Sequence, residues 1–331
     1  MELTMDIAGT WTVGTGLARP ECVLCMADGS LFTSHLGHGI MHIRPDGTQC
    51  VVGNTAHVDG RAWVPNGFAL MEDGGFLVAN MGEGGGLWHL GAGGELRPEL
   101  REVDGMALSA ANFVLDDGAR TWVSVSTRQW PISRAFTAAC ADGYIVVRDG
   151  RGSRIVADGL AFANEVRIDP AGGHLYAAET FARRISRFRI HADASLGPRE
   201  TFTTFGHGCF PDGLAFDEAG YLWVASIVSN RLIRVAPDGS QAVLLEDYPP
   251  ERLEKIESLL RQGLLDREAV AGQTGDRLRN ISSIAFGGAD LRTGYLGSLG
   301  GDTLVAFRSP IAGHRPSHWS RRAPNTIRGK R

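Results

Sequence analysis

The sequence predicts an all-β fold, a six-bladed β-propeller with four-stranded blades. Two observations predict it: short strand-like runs separated by glycine-bearing turns, and a sixfold repetition of that unit along the 331 residues. Internal repetition is read first, because overlooking it misassigns a whole fold.

In each unit one run reads as the second strand. These are LFTSH (31–35), GFLVAN (75–80), TWVSVS (121–126), HLYAAE (174–179), YLWVAS (221–226) and GYLGSL (294–299). Aromatic and β-branched residues bounded by turn residues favour strands. A third-strand run follows each: GIMHIR (39–44), GLWHL (86–90), GYIVVR (143–148), RISRFRI (184–190), NRLIRV (230–235) and DTLVAF (302–307). Turns at 45–47, 92–94, 148–150 and 237–239 introduce a fourth, and runs such as FALM (68–71), VRID (166–169) and LAFD (214–217) precede the second. Gly29, Gly74, Gly118, Gly172, Gly220 and Gly288 mark the six units, at about 45 residues apart except before the last, a spacing typical of propeller blades. One propeller is therefore expected over residues 1–310, with 311–331 as a basic, frayed C-terminal tail.

The sixth unit lacks a clear fourth strand, and the run at roughly residues 3–13 has no unit of its own. Pairing the second with the first closes the ring and removes an open sheet edge.

A polar residue recurs in register before the turn glycine. Glu21, Asn66, Asn164 and Asp212 stand eight positions ahead of theirs, Asn112 six ahead, and the last unit offers Ser282 or Asn280. Each opens a first strand, and first strands line a propeller's central channel, so these side chains are expected to converge. Oxygen donors including two carboxylates suit one hard divalent cation, calcium first, with manganese, magnesium or zinc as alternatives. The bland alternative is that Asn and Asp shape the turns leading into each strand. Asn66 is the weakest ligand candidate and is equally a substrate contact or a channel residue.

Composition excludes several classes. With 33 basic and 37 acidic residues, a nucleic-acid surface is not indicated. No basic start followed by an apolar run marks a signal peptide, and no apolar stretch is long enough to span a membrane, so a cytoplasmic protein is expected. The five cysteines are scattered, and Cys22 and Cys25 read as small apolar strand residues. No GxSxG elbow is present. His35, His38 and His42 are read as ordinary surface histidines around one loop.

The segments PDGLAFDEAGYLWVAS (211–226), NRLIRVAPDG (230–239), ANEVRIDPAGGHLYAAETFARRISRFRI (163–190), IAFGGADLRTGYLGS (284–298) and PNGFALMEDGGFLVAN (65–80) resemble the blades of the gluconolactonase/regucalcin-like lactonase family. The resemblance spans roughly residues 18–310. It implies a metal-dependent lactonase in which Glu21, Asn164 and Asp212 hold the cation. Asn112 would be a fourth ligand or a substrate contact, and Asp212 a general base doubling as ligand, ligand-only being the alternative. Two positions depart from the family pattern: Phe113 stands where Asp is usual, and Ala110 where many members carry Arg. Both argue against a sugar lactone and leave the three core ligands intact. A phosphotriesterase-type hydrolase, a non-catalytic metal- or ligand-binding propeller, and an enzyme specialised for another reaction are the competing readings.

Two insertions fall on the face where first strands begin. Residues 127–142 offer Arg128, Trp130 and Arg134 as substrate contacts, and His207 lies near the expected mouth. Residues 248–279 carry apolar positions at Leu253, Ile256, Leu259, Leu260 and Leu264, the spacing of an amphipathic helix, and are expected to cover the entrance as a lid, surface decoration or a dimer contact being the alternatives. The partner is expected to be a small molecule, and the chain a monomer or homodimer.

Overall fold

In a computed structural model, which describes residues 5–272 and 275–323, six four-stranded antiparallel sheets follow one another as the blades of a propeller. Blade 1 comprises Val23–Cys25, Leu31–His35, Gly39–Ile43 and Gln49–Val52, and blade 2 comprises Pro65–Leu70, Phe76–Asn80, Leu87–Leu90 and Leu96–Leu100. Blade 3 comprises Ala111–Asp116, Thr121–Val125, Gly143–Asp149 and Gly152–Leu160. Blade 4 comprises Ala163–Ile168, His174–Glu179, Arg184–Arg189 and Glu200–Thr204. Blade 5 comprises Cys209–Phe216, Leu222–Val228, Arg231–Val235 and Gln241–Leu245. Blade 6 takes Ile281–Gly287, Thr293–Ser298 and Leu304–Arg308, and Trp11–Val13 pairs with the last of these to close the ring.

The six turn glycines all sit between first and second strands with φ between +73° and +91°. Only glycine takes that conformation freely, which is why it recurs there. The first strands of blades 2 to 6 and of blades 6 and 1 contact one another around the centre, and the second strand of blade 1 meets the first strand of blade 2. Residues between the blades form the core, with Trp63, Trp122 and Trp223 fully enclosed. Trp122 and Trp223 each donate an indole N–H, at 2.9 Å, to a carboxylate at the end of their own blade's first strand, Asp117 and Asp217.

The insertion before blade 6 forms two helices, α1 (Pro250–Gln262) and α2 (Arg267–Ala271). Gly263, left-handed at φ 69°, ends α1, and the Asp266 carboxylate caps α2 by accepting from the Ala269 N–H. The expected continuous helix is thus split, which places Leu264 in the break, exposed. No helix among the described residues is long and apolar enough to cross a membrane.

The expected frayed tail is corrected for residues 311–323. Trp319 is buried, His318 Nε2 donates to the Cys25 carbonyl at 3.2 Å, and Arg321 pairs with Asp116. This segment closes a cavity of about 410 Å³ at one end of the channel. The remainder of the tail, 324–331, lies outside the described residues. His35 and His42 are likewise buried rather than on the surface. His35 Nδ1 accepts from the Ala18 N–H and His42 contacts Ser30 Oγ, while His38 is exposed. Burial pushes the pKa of His42 down to about 4.

Candidate functional site

A chamber of about 540 Å³ opens at the opposite end of the channel, where the first strands begin. Glu21, Asn112, Asn164 and Asp212 line it. Glu21 stands just ahead of its strand, whereas the equivalent residues of blades 2 to 6 lie at breaks in strand register. The pairing slips between Pro65 and Phe68, Ala111 and Phe113, Ala163 and Val166, Pro211 and Leu214, and Ile281 and Ser283. A bulge leaves one residue out of the ladder and re-aims its side chain. Each slip contains one polar residue of the register: Asn66, Asn112, Asn164, Asp212 or Ser282. All five are buried, as is Glu21.

Close packing of the first strands needs a glycine after two of these residues. A Cβ on Gly67 would strike Asn112 and Phe113, and one on Gly213 would strike the backbone of Ser282 and Ser283. Ser282 donates to the Glu21 carbonyl at 3.1 Å. Asn280 serves the insertion instead, joining Val228 N–H to the Val270 carbonyl of α2.

Asp212 makes no hydrogen bond or ion pair with a described residue. Burial, then Glu21 and Glu165, raise its carboxyl pKa well above the usual range. The Asn164 Nδ2 donates to Thr180 Oγ1 at 3.2 Å, and its Oδ1 is buried without a hydrogen-bond partner. Arg19, left-handed at φ 50°, ion-pairs with Glu21 and donates to Asn66 Oδ1 at 3.0 Å. Asn66 in turn donates to the Asn112 carbonyl at 3.0 Å and carboxamide at 3.3 Å, and Asn112 donates to Ser126 Oγ at 2.9 Å. Asn66 therefore braces the floor and does not itself line the chamber.

Glu21, Asn164 and Asp212 are the residues able to hold a cation here. No group of three His, Cys, Asp or Glu side chains suited to a metal occurs among the described residues, so such an ion would rest on amide as well as carboxylate oxygens.

The other candidates point elsewhere. Arg128 forks onto Asp158 at 3.0 Å and covers the Tyr144 ring at 4.5 Å. Trp130 is 42% exposed, and His207 meets Glu254 of α1 at 2.7 Å. None of the three lines the chamber, and neither does Arg134. Loop 127–142 contributes Ile132 and Phe136 instead, and the second insertion contributes Arg267, Val270 and Ala271 through α2. Helix α1 supports from behind. Its Leu253 and Ile256 are buried, and Glu257 accepts from Arg183 at 2.7 Å.

Two functional features escaped the sequence reading. Arg19 was legible only as a residue near Glu21. Glu165 is a third buried carboxylate, paired with Arg167 at 2.8 Å and accepting from the Leu214 N–H at 3.1 Å. Burial raises its pKa, and Arg167 opposes that. Phe113, where a carboxylate was expected from family resemblance, packs under the Arg167 guanidinium at 4.4 Å. Ala110 is buried among the side chains behind the chamber wall.

Comparison with known proteins agrees with this architecture. Residues 19–246 match the family described as SMP-30/Gluconolactonase/LRE-like region. The 6-deoxy-6-sulfogluconolactonase of Pseudomonas putida is 29% identical over 236 residues, covering 70% of this chain and 67% of that protein. Among solved structures, a gluconolactonase from Xanthomonas campestris superposes with TM-score 0.65 at 17% identity, covering 95% of this chain and 94% of that one. The calcium-binding protein regucalcin from Agrobacterium tumefaciens gives 0.64 at 15% identity, covering 97% of each. At those identities the structures bear on the fold alone, whereas the matched region spans most of the blades: the chain belongs to the SMP-30/gluconolactonase/LRE-like family.

Proposed function

We propose that this chain is a lactonase, opening a cyclic carboxylic ester at a divalent-cation site held by Glu21, Asn164 and Asp212. Asn112 is a fourth ligand or a substrate contact. The observation that carries this reading is the pair of buried carboxylates, Glu21 and Asp212, beside the unpartnered Asn164 oxygen. Like charges are costly to bury together without a cation, and Arg19 ion-pairs with only one of them. All the donors are oxygens, which favours calcium over softer metals. The named activity of the Pseudomonas relative supports the same reaction class.

A bound divalent cation supplies Lewis acidity toward the ester carbonyl and lowers the pKa of water. Asp212 accepts the proton of the attacking water on a carboxylate oxygen. The water oxygen forms the new bond to the carbonyl carbon, the ring C–O bond breaks, and the proton passes to the departing alkoxide. The product is the open hydroxy acid.

The test is hydrolysis of a lactone panel, from sugar lactones to larger apolar ones, by chelator-treated protein with calcium, manganese or zinc restored in turn. Metal-restored ring opening is expected, and Asp212→Ala lowers kcat/KM by about a thousandfold, within the range for loss of a general base. Turnover of phosphotriesters but no lactones, or near-normal activity in Asp212→Ala, overturns the reading.

A further inference from the structure

The chamber wall is apolar on one broad side. Phe136 and Phe181 stack with centroids 4.6 Å apart at 25°, and Phe162 meets both edge-on at 5.3 and 5.1 Å. Ile132, Ile227 and Val270 extend this surface. They come from blade 3's long loop, blades 4 and 5, and the α2 insertion, so the wall is assembled from segments far apart in the chain. A polyhydroxylated ring against it would bury hydroxyls without partners, whereas an aryl or alkyl group gains by leaving water.

One positive charge interrupts this surface. The Arg267 side chain lines the chamber and forms no ion pair or hydrogen bond with a described residue. The other guanidiniums near the chamber are committed: Arg19 to Glu21, and Arg183 to Glu257. Arg267 is open to the chamber's solvent, yet enough protein surrounds it for burial to lower its pKa. The charge of Arg19 adds to that effect and Glu21 opposes it, so Arg267 senses the charges of the floor. A guanidinium left unneutralised beside an apolar wall is suited to a carboxylate or a comparable anion.

Resting on the lactonase reading, we propose that the substrate is a lactone bearing an apolar, aryl-sized substituent that ends in an anionic group. The phenylalanine wall holds the substituent and Arg267 pairs with the anion.

Three probes test this with calcium-loaded full-length protein: glucono-1,5-lactone, γ-phenyl-γ-butyrolactone, and the para-carboxyphenyl analogue of the latter. The acidic aryl lactone is expected to have a KM at least about tenfold below that of the neutral one, the scale of a charge-assisted hydrogen bond. Arg267→Gln removes that difference, and Arg267→Lys restores part of it. A parallel calorimetric titration uses 2-(4-carboxyphenyl)tetrahydrofuran, which cannot be hydrolysed, against wild type and Arg267→Gln. A preference for glucono-1,5-lactone, or an equal effect of Arg267→Gln on both aryl lactones, overturns the proposal. If no lactone is opened, the lactonase reading fails and the titration decides. Arg267-dependent binding of the ether then upholds the ligand class, and absence of binding overturns it.

Discussion

Arg19 is ion-paired with Glu21 at the floor of the chamber, and the same guanidinium is hydrogen-bonded to Asn66. The pair is mostly buried, with the Glu21 side chain 4% exposed. Arg19 is therefore the internal counter-charge of the site: it ion-pairs with Glu21 and acts on Asp212 through its charge without pairing with it.

Arg19→Ala leaves Glu21 and Asp212 uncompensated in a buried place. The metal-free variant is expected to lose about 3 kcal/mol of stability, the scale for breaking a buried pair. Calcium is then expected to raise the melting temperature more in the variant than in wild type, because no guanidinium competes for Glu21. Scanning calorimetry with and without calcium reads both effects, and equal calcium shifts in the two proteins would refute the competition.

Gly213 follows Asp212 inside the blade 5 bulge, and a Cβ there runs into the backbone of Ser282 and Ser283. Gly213→Ala is expected to destabilise the fold by roughly 1–3 kcal/mol through overpacking. It should also displace the neighbouring carboxylate, so turnover falls further than stability explains. Denaturant titration and kinetics on the same sample separate the two, and wild-type values for both would show that the first strands have room to spare.

His318 holds the C-terminal segment to Cys25, and burial lowers its pKa to about 3. A histidine kept neutral in the fold but free to protonate when released stabilises the docked segment above its ordinary pKa. That stability is lost as pH falls from about 6.5 towards 3, by under about 2 kcal/mol at pH 5. Protection from hydrogen exchange across residues 311–323, corrected for the intrinsic pH dependence of amide exchange, should therefore be lower at pH 5 than at pH 7, and His318→Gln should flatten that difference. Equal protection at those two pH values would show that the segment is anchored elsewhere, with Arg321 and Asp116 the next candidates.

Much of this was legible in the chain. The six turn glycines announce the blades because a left-handed residue between two strands is a local requirement that glycine meets. The polar residue eight or six positions ahead of each glycine was visible from the same repetition. What was not legible is the bulge that holds it. A bulge interrupts the two-residue alternation without a marker common to the blades: Gly67 and Gly213 stand in two of them, and the others have no such sign.

The candidate contacts Arg128, Trp130 and His207 show the other limit. Sequence placed them in the right loops, but side chains in a loop are aimed by whatever packs against them. Arg128 is held by Asp158 and Tyr144, and His207 by Glu254, while the less conspicuous Ile132 and Phe136 turn inward.

By itself the sequence determined the number of blades, their strand order, the closing N-terminal strand and the register of the polar ring. These follow from local periodicity and turn chemistry repeated along the chain. Only the tertiary structure decided which side chains face the chamber, that Arg19 neutralises Glu21, that Arg267 pairs with no described residue, and that Trp319 is buried. Those outcomes depend on contacts between residues far apart in the chain, whose partners no local pattern specifies.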